Sequence, residues 1–315
     1  MATAAITRPG RAYSRKATHE ARVFWLCVAP WVIGFILFTL GPMIYSLYIS
    51  FTEWGMLRPP EWVGIANYTR ALTVDPDFYH SLRVTFFYTI FSIPLKLITA
   101  LFLAILLNEA THGVGLFRTA FYMPAVVASV AAAVLWSWIL NPRFGPVNGL
   151  LRLFGIDGPN WFGDPDFALW GLIIMSTWNV GGEMLIFLAG LKGIPKALYE
   201  ASELDGANRL TRFFRITLPM LSATIFFNFV MSVIGSFQAF DSAYVISGAR
   251  AGTLGGPDQS TLLYMLLVYT NAFQNFNGMG YATALAWILF VIILILTLII
   301  QRSSNAWVYN EGERK

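Results

Sequence analysis

Apolar and polar positions in this chain fall into long blocks rather than alternating residue by residue. Residues 1–22 are polar and carry Arg8, Arg11, Arg15, Lys16 and Arg22, which reads as a mobile basic tail. Val23 to Phe51 then runs without a charge. About 20 apolar residues suffice to cross a bilayer as a helix, so this block is a first span, with a tilt or interruption at Gly41-Pro42. Thr52 to Arg83 is polar again. Val84 to Leu107 makes a second span with Pro94 and Lys96 near its middle, followed by a short loop from Asn108 to Arg118. Thr119 to Leu140 is a third span. Asn141 to Asp166 is a Gly/Pro-rich loop in which Asn148 to Phe154 reads as a short helix lying at the interface. Phe167 to Gly190 is a fourth span, broken by Gly181-Gly182-Glu183, and Thr217 to Phe240 is a fifth. The connection from Asp241 to Gly278 contains the turn cluster Gly255-Gly256-Pro257-Asp258. Gly280 to Ile300 closes the pattern as a sixth span. The expectation is an all-α integral membrane protein, multi-pass, with one six-span domain over 23–301 between a basic tail (1–22) and a charged tail (302–315).

Composition agrees with that reading. The 315 residues are 57% hydrophobic and 12% charged, whereas soluble domains carry about 25% charged residues. The net charge of +4 does not point to nucleic acid, because the basic residues follow the loops rather than one face. With six spans, both tails and the loops after the second and fourth spans share one side of the membrane. Fourteen of the 21 Lys and Arg lie there, six lie in the opposite loops, and Lys96 is left inside a span. The positive-inside rule then makes both tails and the 191–215 loop cytoplasmic. The apolar run after the basic tail is too long for a signal peptide and lacks a cleavage site, so it is expected to be retained.

The 191–215 loop is the least ordinary stretch. It packs Lys192, Lys196, Arg209, Arg212 and Arg215 beside Glu200, Glu203 and Asp205 between two apolar runs. Pro195 suits a helix start and Gly206 a helix stop, where a left-handed residue is needed. Between them lie about three turns with Leu198, Ala201 and Leu204 at helical spacing. Such a short helix is marginal alone in water, so it reads as a helix that needs a docking partner or, more plainly, as an ordinary solvated connector. The small pair Ala201-Ser202 would let another surface approach closely.

Glu200-Ala201-Ser202, Asp205-Gly206-Ala207, Phe213, Ile216 and Leu218-Pro219 resemble the EAA loop of permease subunits in binding-protein-dependent ABC importers. Ser202 stands where that motif most often has Ala. Trp178 to Pro195, the Gly255-Gly256-Pro257 turn and Phe273 to Ala284 resemble the carbohydrate branch, in particular the maltose-type and glycerol-3-phosphate-type first permease subunits. The resemblance implies a coupling loop between the fourth and fifth helices that seats in a separate ATPase, with Glu200, Ala201, Ser202, Asp205 and Gly206 as its ATPase-coupling positions. It also implies the partners: a second homologous permease, an ABC ATPase dimer carrying ATP and Mg, an extracytoplasmic solute-binding protein and a sugar substrate, assembled in a bacterial inner membrane.

Other candidates lie within the spans. Lys96 and Glu183 are ionisable groups at membrane depth, which are costly in lipid. They line a solute path, pair with each other, or reach an interface. Asn228, Ser232 and Ser236 fall four apart and share one helix face. With Trp178, Asn179 and Gln238 they offer the aromatic surface and fixed polar groups that a sugar needs, or they join helices to one another. The resemblance implies sugar contacts on the corresponding two spans, which sets that reading level with helix joining.

Some chemistries are not written in this chain. It has no G-x-x-x-x-G-K-[ST], so ATP hydrolysis is expected on a partner and the chain is not expected to be an enzyme or to bind a cofactor. A single Cys27 and the scattered His19, His80 and His112 give no metal-ligand spacing. The rival reading is a self-sufficient secondary transporter or channel that uses Lys96 and Glu183 as an ion relay.

Overall fold

The computed structural model describes residues 11–55, 58–109, 112–248 and 255–309. Arg8, Arg250 and the tail beyond Tyr309 therefore lie outside the described residues. Helix α1 (Arg11–Phe35) continues through a π turn (Ile36–Leu40) into α2 (Gly41–Ile49). The expected interruption at Gly41-Pro42 is thus a widened turn, in which Gly41 N–H reaches Ile36 O, rather than a break. Pro42 lacks the N–H that would close a regular turn. The tail reading is corrected here, because the backbone is helical from Arg11, twelve residues ahead of Val23.

A two-stranded antiparallel ladder follows, β1 (Thr52–Glu53) on β2 (Glu61–Trp62), so the described chain is not purely helical. Helix α3 (Ala66–Thr73) leads to α4 (Pro76–Glu109), which begins eight residues before the expected second span. Thr119–Leu140 is not one straight helix. It is α5 (Val114–Val126) and α6 (Ser129–Ile139), bent by 102° where Val127 and Ala128 are extended just after Pro124. Helix α7 (Pro146–Leu153) is the short helix of the third loop. It is pinned by the buried Asn148, whose Oδ1 accepts from Trp161 Nε1 at 2.7 Å and whose Nδ2 donates to Pro159 O at 3.0 Å.

The fourth span is α8 (Pro165–Ser176) and α9 (Gly181–Gly193), bent by 46°. The break falls at residues 177–180, and Gly181 has a different task from the one expected. A Cβ there would lie 2.9 Å from Tyr122 Cα, so the glycine permits the backbones of α5 and α9 to touch. Helix α10 (Lys196–Leu204) and α11 (Arg209–Arg212) form the polar loop. A second π turn (Phe213–Thr217) and α12 (Leu218–Met220) lead into α13 (Ser222–Phe237). Helices α14 (Asp241–Gly248), α15 (Tyr264–Phe273) and α16 (Met279–Ser304) complete the order. The expected glycine turn is present, with Gly255, Gly256 and Asp258 all at positive φ.

Among the described residues, four helical stretches are long and apolar enough to cross a membrane, and the two bent pairs raise the number to six if each is one span. The core has two parts. One gathers Phe237, Tyr264, Leu266, Tyr281 and Leu285 around α4, α13, α15 and α16. The other gathers Ala100, Ala104, Met184, Phe187, Leu191 and Leu221 directly against the polar loop. The turn before α16 is clamped from outside: Met279 N–H donates to Trp54 O at 3.0 Å, and Trp54 bridges Gly278. Trp287 Nε1 donates to Ser46 Oγ at 3.2 Å, joining α16 to α2.

Candidate functional site

The polar loop is built as its punctuation predicts. Pro195 caps α10, Asp205 ends it, and Gly206 at φ 75° turns the chain. Ala207 N–H then bonds Ser202 O at 2.9 Å and Gly206 N–H bonds Glu203 O at 3.0 Å, which satisfies carbonyls that a helix end leaves open. Asn208 caps α11 by accepting from Thr211 N–H at 2.8 Å.

The two faces of α10 differ. Tyr199 and Ser202 turn inward: Tyr199 packs on the second core cluster and Ser202 is 9% exposed. Glu200, Ala201 and Asp205 are exposed, and so are Leu198 and Leu204, the latter at 91%. One expectation is corrected here. Ser202 is not available to an approaching surface, since its hydroxyl bonds Tyr199 O at 2.7 Å within the helix. The Leu198, Ala201 and Leu204 stripe faces away from this chain's core. Glu200 has no ion pair among the described residues, whereas Glu203 pairs with Arg212. A cavity of about 470 Å³ lies beside the loop, between Ile105, Asn108 and Glu109 of α4 and Tyr199, Arg209 and Phe213.

Inside the bundle, Lys96 Nζ lies 2.6 Å from Glu183 Oε1. Of the three readings left open, pairing is the one observed, and Lys96 also borders a cavity. That cavity, about 180 Å³, is lined by Tyr88, Lys96, Ser129, Ser176, Trp178 and Asn179 among others. A neighbouring one of about 250 Å³ shares Tyr88, Ser129, Leu172 and Ser242 and adds Gln238 and Asp241. Ser129 donates to Asp241 Oδ2 at 2.5 Å across their boundary. Both lie where α5/α6 and α8/α9 are broken. Non-helical backbone is tolerated at membrane depth only beside protein or a water-filled cavity.

Four sequence candidates, Lys96, Trp178, Asn179 and Gln238, thus line these cavities. Asn228, Ser232 and Ser236 share one face as expected, but they line neither. All three are buried, and Ser236 Oγ meets Thr89 Oγ1 of α4 at 3.0 Å. Tyr88, Ser129, Ser242 and Asp241 were not singled out from the sequence. The bend that brings Ser129 into the cavity has only Pro124 as a local sign.

Removing one partner of the Lys96–Glu183 pair strands a charge. Glu183→Gln is expected to lower stability by about 2 kcal/mol, below the roughly 3–5 kcal/mol of a fully buried pair, because the two side chains retain 25% and 20% exposure. Reversing both charges restores the attraction. Thermal unfolding of the detergent-solubilised chain and of the Lys96→Glu/Glu183→Lys double variant checks this.

Comparison with known proteins gives four findings. The family model described as "Binding-protein-dependent transport system inner membrane component" matches residues 76–308. A probable ABC transporter permease of Bacillus subtilis, YesP, is 45% identical over 304 residues, covering 96% of each chain. The trehalose/maltose transport system permease MalF of Thermococcus litoralis is 31% identical over 288 residues, 91% of this chain and 95% of that one. Among solved structures, a chain of a bacterial ABC transporter involved in import of the acidic polysaccharide alginate superposes with a TM-score of 0.79 at 23% identity, covering 93% of this chain and 99% of that one. It shares the fold.

Proposed function

The chain belongs to the family of binding-protein-dependent transport system inner membrane components, and from that membership we propose that it forms half of the translocation path of an ATP-driven importer for a sugar or oligosaccharide. The permease is multi-pass in the inner membrane and is not itself an enzyme. In this reading each bent helix pair is one span, giving six, with both termini cytoplasmic as the distribution of Lys and Arg indicates. The partners are a second homologous permease, two copies of an ATPase holding ATP and Mg, and a binding protein on the other face.

The observation that carries the reading is α10. It is short, anchored by one face, and presents Glu200, Leu198 and Leu204 outward on the side that the charge rule makes cytoplasmic. An exposed apolar stripe with an unpaired carboxylate is what a protein partner covers. ATP-driven closure of the ATPase dimer would move α10, and the bundle would switch between inward and outward openings around the Tyr88–Lys96–Trp178 cavity. The maltose-type resemblance and the trehalose/maltose relative support a sugar. Because Glu183 neutralises Lys96, that cation is not free to hold an anionic solute, which favours an uncharged one, and the pairing supports the importer over a carrier that uses these two residues as an ion relay.

The test is to tag the chain, solubilise it gently from its own membrane and identify what copurifies by mass spectrometry. A P-loop ATPase and a second permease are expected. A folded chain that copurifies only with itself would overturn the assembly.

A further inference from the structure

Helix α10 is tied to the rest of the chain at two points. Tyr199 Oη lies 2.9 Å from Thr217 Oγ1, which is buried, and Glu203 pairs with Arg212. Both partners sit on the segment that leads into α13. In a regular α-helix two residues five apart are turned about 140° from each other around the axis, so Arg212 and Thr217 would not face α10 together. The π turn at Phe213–Thr217, where Leu218 N–H reaches Phe213 O, closes its rings over five residues and brings them to the same side. Pro219 stands two residues beyond this turn, as Pro42 does beyond the first, and supplies the missing N–H that widens it.

Resting on the reading of α10 as the coupling element, we infer that the Tyr199–Thr217 hydrogen bond and the Glu203–Arg212 pair form a two-point link that carries displacement of α10 into α13. Tyr199 and Thr217 are then positioning residues of energy coupling. Glu200 and the exposed leucines meet the ATPase; Tyr199 and Thr217 pass the movement on. The hydroxyl pair is the more sheltered point, because Glu203 is exposed and its pairing is weakened by water.

The test needs no knowledge of the transported solute. A Cys27→Ser background with Ser242→Cys places one cysteine beside both cavities of the bundle. Its labelling by a membrane-impermeant maleimide is followed in the copurified complex, reconstituted in liposomes, with and without ATP plus vanadate. In the parent complex the nucleotide is expected to change the labelling rate. Tyr199→Phe and Thr217→Val are expected to keep the ATPase bound and hydrolysing while shrinking that change about fivefold, the worth of one net hydrogen bond. Thr217→Ser keeps the hydroxyl and is expected to preserve the response. An undiminished response in both Tyr199→Phe and Thr217→Val overturns the link while leaving α10 as the coupling element. An equal loss in Thr217→Ser also overturns it, since packing rather than the hydroxyl would then be responsible. A complex that never contains an ATPase removes the underlying reading as well.

Discussion

A Glu200→Lys chain is expected to fold, insert and pair with the second permease as the parent does, yet to lose its ATPase. Glu200 is exposed and makes no ion pair among the described residues, so reversing its charge removes nothing from this chain's own packing. Surface substitutions of that kind usually stay within about ±0.5 kcal/mol of stability. At a covered interface the same change is severe. Losing one side of a hydrogen-bonded charge pair costs about 2–5 kcal/mol, at least roughly 30-fold in affinity. The measurement is the amount of ATPase retained on the tagged permease, together with binding-protein-stimulated hydrolysis. Retention and stimulation at parental levels would remove Glu200 from the coupling surface. The expected pattern also differs from that of Tyr199→Phe, which leaves the ATPase attached and interrupts transmission from α10 into α13.

The second large effect is expected at the opposite end of the molecule. A Cβ on Gly280 would lie 1.9 Å from Thr52 O and 3.3 Å from Trp54 N. The obstruction is backbone that is itself fixed: Thr52 O accepts from the buried Asn67 Nδ2 at 2.9 Å, and Trp54 O receives Met279 N–H. No rotamer change relieves such a contact. Gly280→Ala is expected to destabilise the chain by about 3 kcal/mol, the upper part of the range for overpacked sites. Gly235→Ala is the control. It lies within helix α13 and would meet nothing within 4 Å, so it is expected to be neutral or slightly stabilising. Thermal unfolding of the two variants in one detergent separates them, and equal stability would show that the 50–55 segment yields to the added methyl.

Much of the polar loop before α13 was legible in the sequence because its signals are local. Pro195 and Gly206 bound α10 to within two residues of where it starts and stops, since both act through their own backbone. The loop-to-loop rhythm of the spans was legible for the same reason that lipid demands it. Helix ends were less so: α4 starts at Pro76, ahead of His80 and Arg83, because a helix need not begin where the charge-free run does. The 102° elbow after Val126 was hidden, because hydropathy records how apolar a stretch is and not which way it points. Direction was also the missing quantity for Asn228, Ser232 and Ser236. Their spacing placed them on one face, but only packing set Ser236 against Thr89 of α4. For α10 the apolar stripe was visible and its inward partner was not, because the anchor is a lone tyrosine rather than a repeating pattern.

The joint between the first and last helices has a consequence for how the chain is made. Helix α2 and the residue after β1 reach α16 and the turn before it through Ser46 and Trp54, beside the nearer contacts with β2 and Asn67, while α1 exposes Phe24, Trp25, Leu26, Trp31 and Phe38. A ribosome reaches Met279 only after more than 220 further residues beyond Ile49, which takes about 10–50 s at about 5–20 residues per second. Throughout that interval α2 waits without the α16 contact it makes in the finished chain. One of the earliest segments to leave the ribosome is therefore among the last to be locked in place, and a stall in translation anywhere before α16 leaves α2 and β1 held only by the neighbouring β2 and α3.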